Sequence, residues 1–212
     1  LETVAVIDFE TTGLNPQWGD RATEIAVALV RDGTIVDRYQ SLMNAGRRIP
    51  ADVIRLTGIT NEMIARAPDA AKVMSEVARF VGKLPMVAHN AGFDRRFWDA
   101  ELERISARRD QSFACTLLLS RRIYPASPDH KLGTLVRLLG LPVTGQAHRA
   151  MADAEMASNL WCRIQADVTK TYGVRDIGHE MLTRVQGTPR AKVPKVIENW
   201  GQSRFSRSPA RS

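Results

Sequence analysis

With 44% hydrophobic and 25% charged residues in 212, the chain has the make-up of a folded globular protein, sized for one generous domain or a domain and a tail. It has no apolar run near the ~20 residues that cross a bilayer and no basic-then-apolar leader. Its two cysteines, Cys115 and Cys162, make no metal-binding spacing, so reduced thiols in a cytoplasmic protein are expected. The net charge of +7 is concentrated at one end: from residue 187 to 212 six basic residues stand against Glu198 alone, so +5 belongs there and +2 to all that precedes. A large phosphate-tracking surface on the domain is therefore not indicated.

In chain order, residues 3–10 read as a strand, and Thr23 to Arg31 and Thr34 to Met43 as two more, joined by the hairpin signal Asp32-Gly33. Residues 50–66 read as short helices broken by Gly58. Pro68 to Val81 has helical spacing, with Val73, Val77, Phe80 and Val81 on one side, and stops at Gly82. Met86 to His89 is a short strand, and Asn90 caps a helix to about Ile105. Ser112 to Thr116 is a fifth strand, Lys131 to Leu139 a helix stopped by Gly140 and Pro142, and Arg149 to about Tyr172 the longest helix. Hairpin strands followed by alternating strands and helices imply an α/β fold, a mixed five-stranded sheet flanked by helices. Residues 1–186 form the domain, and the Pro-, Ser- and Arg-rich stretch 187–212 reads as a flexible tail.

The first strand poses a problem. In VAVIDFETTGL, residues 4–14, four apolar residues run into Asp8, with Glu10 two positions on. Alternation puts both carboxylates on one face, about 7 Å apart at ~3.4 Å per residue. Two like charges ending an apolar run are costly unless a cation lies between them, although a strand end meeting solvent would also carry them.

Two further acids stand near helix starts: Asp94 in HNAGFD, residues 89–94, and Asp153 in HRAMADA, residues 148–154. Singly, each fits the preference of Asp for a first helical turn. Around Asp153, Ala150, Ala152, Ala154 and Ala157 are small enough to let the helix lie close to a sheet. His148, five residues before Asp153, would point ~140° away on a helix; a loop position just before the helix leaves it free to face the carboxylates. His89, ending an apolar strand, reads as a structural hydrogen-bonder, while His130 and His179 carry no signal.

Together VIDFETTGL, HNAGFD about eighty residues on and HRAMADA about sixty further resemble the three motifs of the DEDDh 3′–5′ exonucleases, the family of the epsilon-like proofreading subunit of DNA polymerase III. The resemblance covers roughly residues 3 to 172; LTGIT (56–60) and HKLGTL (130–135) also look like family segments. It implies a ribonuclease H-like fold in which Asp8, Glu10, Asp94 and Asp153 hold two divalent metal ions, Mg2+ or Mn2+, and His148 is the general base. It also implies that the backbone at Thr11, Thr12 and Gly13 approaches the terminal nucleotide while Leu14 and Phe93 pack on its base or sugar. For Leu14 and Phe93, ordinary core packing is the competing expectation.

Four carboxylates without thiols suit hard divalent cations better than zinc. Paired ions activate water and stabilise the departing oxygen of a phosphodiester, and a histidine near its ordinary pKa can take the water's proton. The resulting expectation is a metal-dependent exonuclease releasing nucleoside monophosphates from single-stranded 3′ ends, DNA favoured. The alternatives are an exoribonuclease and a non-catalytic nucleic-acid-binding subunit, the last opposed by all five catalytic positions being filled. A DNA polymerase is one candidate partner. A sliding clamp is another, through GQSRF (201–205), a degenerate match to a clamp peptide.

Overall fold

The computed structural model describes residues 2–143, 145 and 148–205. Its sheet has five strands, β1 (Thr3–Thr11), β2 (Ala22–Arg31), β3 (Thr34–Leu42), β4 (Met86–Ala88) and β5 (Phe113–Cys115), in the order β3-β2-β1-β4-β5. β1, β2 and β3 form an antiparallel meander; β4 and β5 add in parallel on the other side of β1. The β2–β3 turn is Asp32-Gly33 with both residues at positive φ (53° and 76°), the twist a two-residue hairpin needs.

Helices α1 (Ala51–Thr57), α2 (Asn61–Ala65), α3 (Ala70–Val81), α4 (Ala91–Arg104), α5 (Thr116–Ile123), α6 (Leu132–Leu138), α7 (Ala150–Tyr172), α8 (His179–Gly187) and α9 (Val193–Phe205) complete the chain. Alternation along β1 divides the core. Ala5, Ile7 and Phe9 face the layer of α3 and α4, where Phe9 meets Phe97 and Trp98 at ring separations of 6.5 and 6.4 Å. Val4 and Val6 face α7 and its neighbours, with Ala157, Leu160, Trp161, Ile164 and Val168 forming the helix's apolar stripe. Ala150 and Ala154 lie on Ala26, so small residues do bring the start of α7 down onto the sheet.

The mixed sheet is as expected; helices α5 and α8 are additions the sequence reading lacks, and two further details differ. Asn90 occupies the position before α4, but with φ 69° and no side-chain cap bond; it turns the chain rather than capping it. The tail expectation is corrected as far as Phe205: Val193 and Ile197 are buried and, with Trp200, form an i, i+4, i+7 stripe on the core. One apolar stripe suffices to seat a helix, and the surrounding Pro and Arg residues mask it in composition. Arg207 and Arg211 lie outside the described residues. Among the described residues no helix is long and apolar enough to cross a membrane.

Candidate active site

β4 pairs with β1 only at Ala5 and Val6, so the end of β1 runs beyond its parallel neighbour. The groups exposed there must find other partners. The Phe9 N–H donates to Asp94 Oδ1 at 3.2 Å, fastening the first turn of α4 to the strand between Asp8 and Glu10. Asp8 and Glu10 continue the row begun by Val4 and Val6, the row covered by α7. Asp153 lies on the helix face that carries Ala150, Ala157 and Leu160, one turn into α7. Strand period and helix period thus converge, and carboxylate oxygens of Asp8, Glu10 and Asp153 lie within 4.8 Å of one another. Asp94 is buried at their edge, half-committed to Phe9.

The electrostatics follow from this crowding. Burial, then the charges of Asp94, Asp153, Glu10 and Glu24, push the Asp8 carboxyl well above the usual range. Burial, Asp153 and Glu24 raise Glu10 to about 8 against the opposing pull of Arg149. Burial raises Asp94 to about 7 despite backbone hydrogen bonds. Asp153 is raised by burial, partly countered by the charge and backbone N–H of His148. Acids this close to one another stay protonated unless positive charge joins them. An all-oxygen set without thiol or imidazole suits a hard divalent cation. The residues therefore fit the divalent metal that the motif implies.

His148 is exposed in the loop before α7, at φ 61°, with Arg149 as the next residue and N-cap position. Arg149 is held by Glu24, a residue that sequence reasoning missed. Glu24 is 1% exposed and stands opposite Glu10 across the β1–β2 ladder. It accepts from Arg149 Nη2 (2.8 Å) and Nε (3.2 Å), from Gln40 Nε2 (2.9 Å) and from the Ala150 N–H (3.1 Å). Burial works against its charge, but these bonds hold its pKa below the ordinary value. A charged residue immediately before the apolar run Ile25–Val30 was the available signal.

The loop after β1 is tightly bonded. A register shift falls between Glu10 and Thr11. Thr11 Oγ1 donates to the Gly13 carbonyl (2.6 Å), and Thr12 is buried with its hydroxyl accepting the Arg21 N–H (3.0 Å). Any Cβ on Gly13 would enter the Asp20 carboxylate. Leu14 is 73% exposed, so core packing does not explain it; Phe93 is half-buried against Phe97 at 4.9 Å. Arg21 in turn forms a two-point ion pair with buried Glu101 (Nε–Oε1 and Nη2–Oε2, both 2.8 Å), a second acid missed from sequence.

The histidines divide by role. His89 Nε2 faces the His130 carbonyl at 3.0 Å and Nδ1 the Thr116 hydroxyl at 2.9 Å, and burial lowers its pKa to about 4, so it is a neutral structural group. His179, unremarked in the sequence, is buried with Nε2 2.9 Å from the Met86 carbonyl. GQSRF ends α9, its backbone helical to Phe205; the side chains of residues 203–205 lie outside the described ones.

Residues 5–161 match the ribonuclease T-type exonuclease family model. The chain is 34% identical over 168 residues to the PolC-type DNA polymerase III of Bacillus cereus and 37% identical over 171 residues to that of Oceanobacillus iheyensis. These matches cover 79% and 80% of this chain, which spans 12% of the length of each relative. Among solved structures, Exonuclease X in complex with 5′-overhanging duplex DNA superposes with a TM-score of 0.64 at 25% identity, covering 92% of this chain and 99% of that one. E. coli Exonuclease I in complex with a dA16 oligonucleotide gives 0.70 at 18% identity, covering 79% of this chain and 41% of that one, a likeness of fold alone. The family match, the relatives and the converging acids agree: the chain belongs to the DEDDh-type exonuclease family and has its ribonuclease H-like fold.

Proposed function

We propose that this chain is a metal-dependent 3′–5′ exonuclease domain that releases nucleoside monophosphates from single-stranded DNA ends. The observation that carries the reading is the convergence of Asp8, Glu10 and Asp153 within 4.8 Å at the open end of β1. These three, with Asp94, would hold the divalent cations, which when bound stabilise charge on the phosphoryl oxygens and make water a better nucleophile at neutral pH.

The remaining work falls to this chain's own groups. His148, exposed and joined directly to the anchored Arg149, takes the proton of the attacking water; a positioned base of this kind contributes on the order of 10²–10⁴-fold. The water oxygen bonds to phosphorus as the bond between phosphorus and the 3′ oxygen of the preceding nucleotide breaks, and that oxygen leaves on the shortened strand, taking a proton from solvent water. The hydrogen-bonded backbone from Thr11 to Gly13 presents a fixed surface to the terminal sugar and phosphate, and Leu14 and Phe93 supply apolar contact to its base. Pre-bonded loops lose little entropy on binding.

DNA is favoured because the curated relatives named above are DNA polymerases, which also makes a polymerase the favoured partner. The test is parallel digestion of matched DNA and RNA strands, with free and blocked 3′ ends, in magnesium and in chelator. The expected result is mononucleotide release from free DNA 3′ ends in magnesium only. Cleavage of blocked strands would remove the exonuclease assignment, and faster release from RNA would replace the substrate.

A further inference from the structure

Trp18 is 78% exposed, and Leu14, four residues earlier in the same loop, 73%. A single exposed apolar residue needs no partner, but two held out on one short loop make a candidate contact surface. The loop that carries them is rigid by construction. Pro16–Trp18 is a single 3₁₀ turn with proline at its start. Asn15 Oδ1 accepts the Gln17 N–H (3.0 Å), its carbonyl accepts the Trp18 N–H (3.0 Å), and the turn closes on Gly19 at φ 88°. The Asn15 N–H is fixed in turn by Asp20 Oδ2 (3.0 Å). The 3₁₀ turn also lies against α4, the helix of Phe93 and Asp94, where Pro16 and Gln17 share a recess with Arg96 and Arg104 and with the acids Asp99 and Glu103. The loop therefore leaves the carboxylate strand, stays fixed and projects one indole outward.

We propose that Trp18 is a stacking platform for an unpaired nucleobase of the bound strand, the one next in from the 3′ terminal nucleotide. The inference rests on the exonuclease reading above and adds a subsite to it. With the terminal nucleotide at Thr11–Leu14, the exposed indole four residues along the same loop is the aromatic face offered to the next base. A π face accepts any base, so the platform contributes length preference and grip rather than sequence reading; stacking of this kind is sequence-tolerant. Single strands can present that base, whereas a paired end keeps it stacked in the duplex.

The test is a binding cycle in magnesium. Its probe is a single-stranded DNA whose 3′-terminal linkage is a phosphorothioate, with the second nucleotide from that end intact or abasic. Trp18→Ala should weaken binding of the intact probe by roughly 5- to 150-fold, the worth of one stacked base. Removing the base should cost the unmutated protein about the same factor and cost Trp18→Ala almost nothing more. Trp18→Phe should keep most of the affinity, which separates stacking from damage to the loop. Equal losses on intact and abasic probes, or no loss at all, would overturn the platform. Mononucleotide release from an unprotected strand, measured alongside, reports on the exonuclease reading separately, because the binding cycle needs no cleavage.

Discussion

Glu24 and Arg149, far apart in sequence, are joined by two charge-assisted hydrogen bonds at 2.8 and 3.2 Å, and the same Glu24 carboxylate accepts the first N–H of α7. Strand β2 thereby fixes where α7 begins, and with it the position of Asp153 and the loop that carries His148. Glu24 lies opposite Glu10 and raises its pKa, so the ion pair with Arg149 also offsets a charge that would otherwise add to the site's crowding.

Glu24→Gln sets an amide donor against the donors of Arg149, Gln40 or Ala150. Losing hydrogen bonds to a charged partner in a buried site costs about 2 kcal/mol. Urea unfolding should show that loss. The cleavage rate should fall more in kcat than in KM, since the strand-binding loop is untouched. An unchanged kcat would mean that α7 is seated by its alanines alone.

The Arg21–Glu101 pair joins the loop after β1 to α4, with Glu101 2% exposed. Glu101→Ala leaves the guanidinium with one carbonyl partner, Ala45, and strips the Ala22 N–H of its acceptor. Breaking a buried pair from one side costs about 3–5 kcal/mol, to be read from the denaturant midpoint. A shift below about 1 kcal/mol would show that water repairs the gap.

In chelator, pH should act on the fold in two opposed ways. Glu10 (to about 8) and Asp94 (to about 7) have raised pKa values, so the folded state binds their protons more tightly than the unfolded one. Their contribution is full below about pH 4 and is lost as pH rises through 7 and 8. His89, lowered to about 4, destabilises the fold as pH drops from about 6.5 towards 4, because the unfolded state then takes up a proton that the native state refuses. Glu10→Gln should therefore flatten the alkaline decline of the melting temperature and leave the acid limb unchanged. A metal-free protein that melts higher at pH 8 than at pH 6 would contradict the crowded-acid account.

His148→Ala should lower kcat on the order of 10²–10⁴-fold with little change in KM. Its melting temperature should stay put, since the side chain is exposed. Loss of magnesium binding would instead place His148 among the ligands.

Much of this arrangement was legible in the sequence because it rests on period. The alternation at Asp8 and Glu10, the small residues flanking Asp153 and the hairpin at Asp32-Gly33 are all local patterns, and each stands where expected. Glu24 and Glu101 were not legible, because their partners are distant in sequence and a buried acid is meaningful only beside its cation. The last helix was hidden for a similar reason: Val193, Ile197 and Trp200 gain their sense from the core they close. Trp18 was passed over because exposure is not written in residue type.

The most direct measurement is magnesium binding and 3′-end cleavage by Asp153→Asn, a substitution that keeps shape and removes one charge from the cluster. With Asp8 and Glu10 within 4.8 Å of Asp153, the variant should bind magnesium much more weakly by calorimetry and release no mononucleotide above background. Its circular dichroism should match the unmutated protein, with equal or slightly higher stability in chelator, because a like charge has gone. Cleavage and magnesium affinity both retained at unmutated levels would contradict the assignment of the β1–α7 carboxylates as the metal-binding centre.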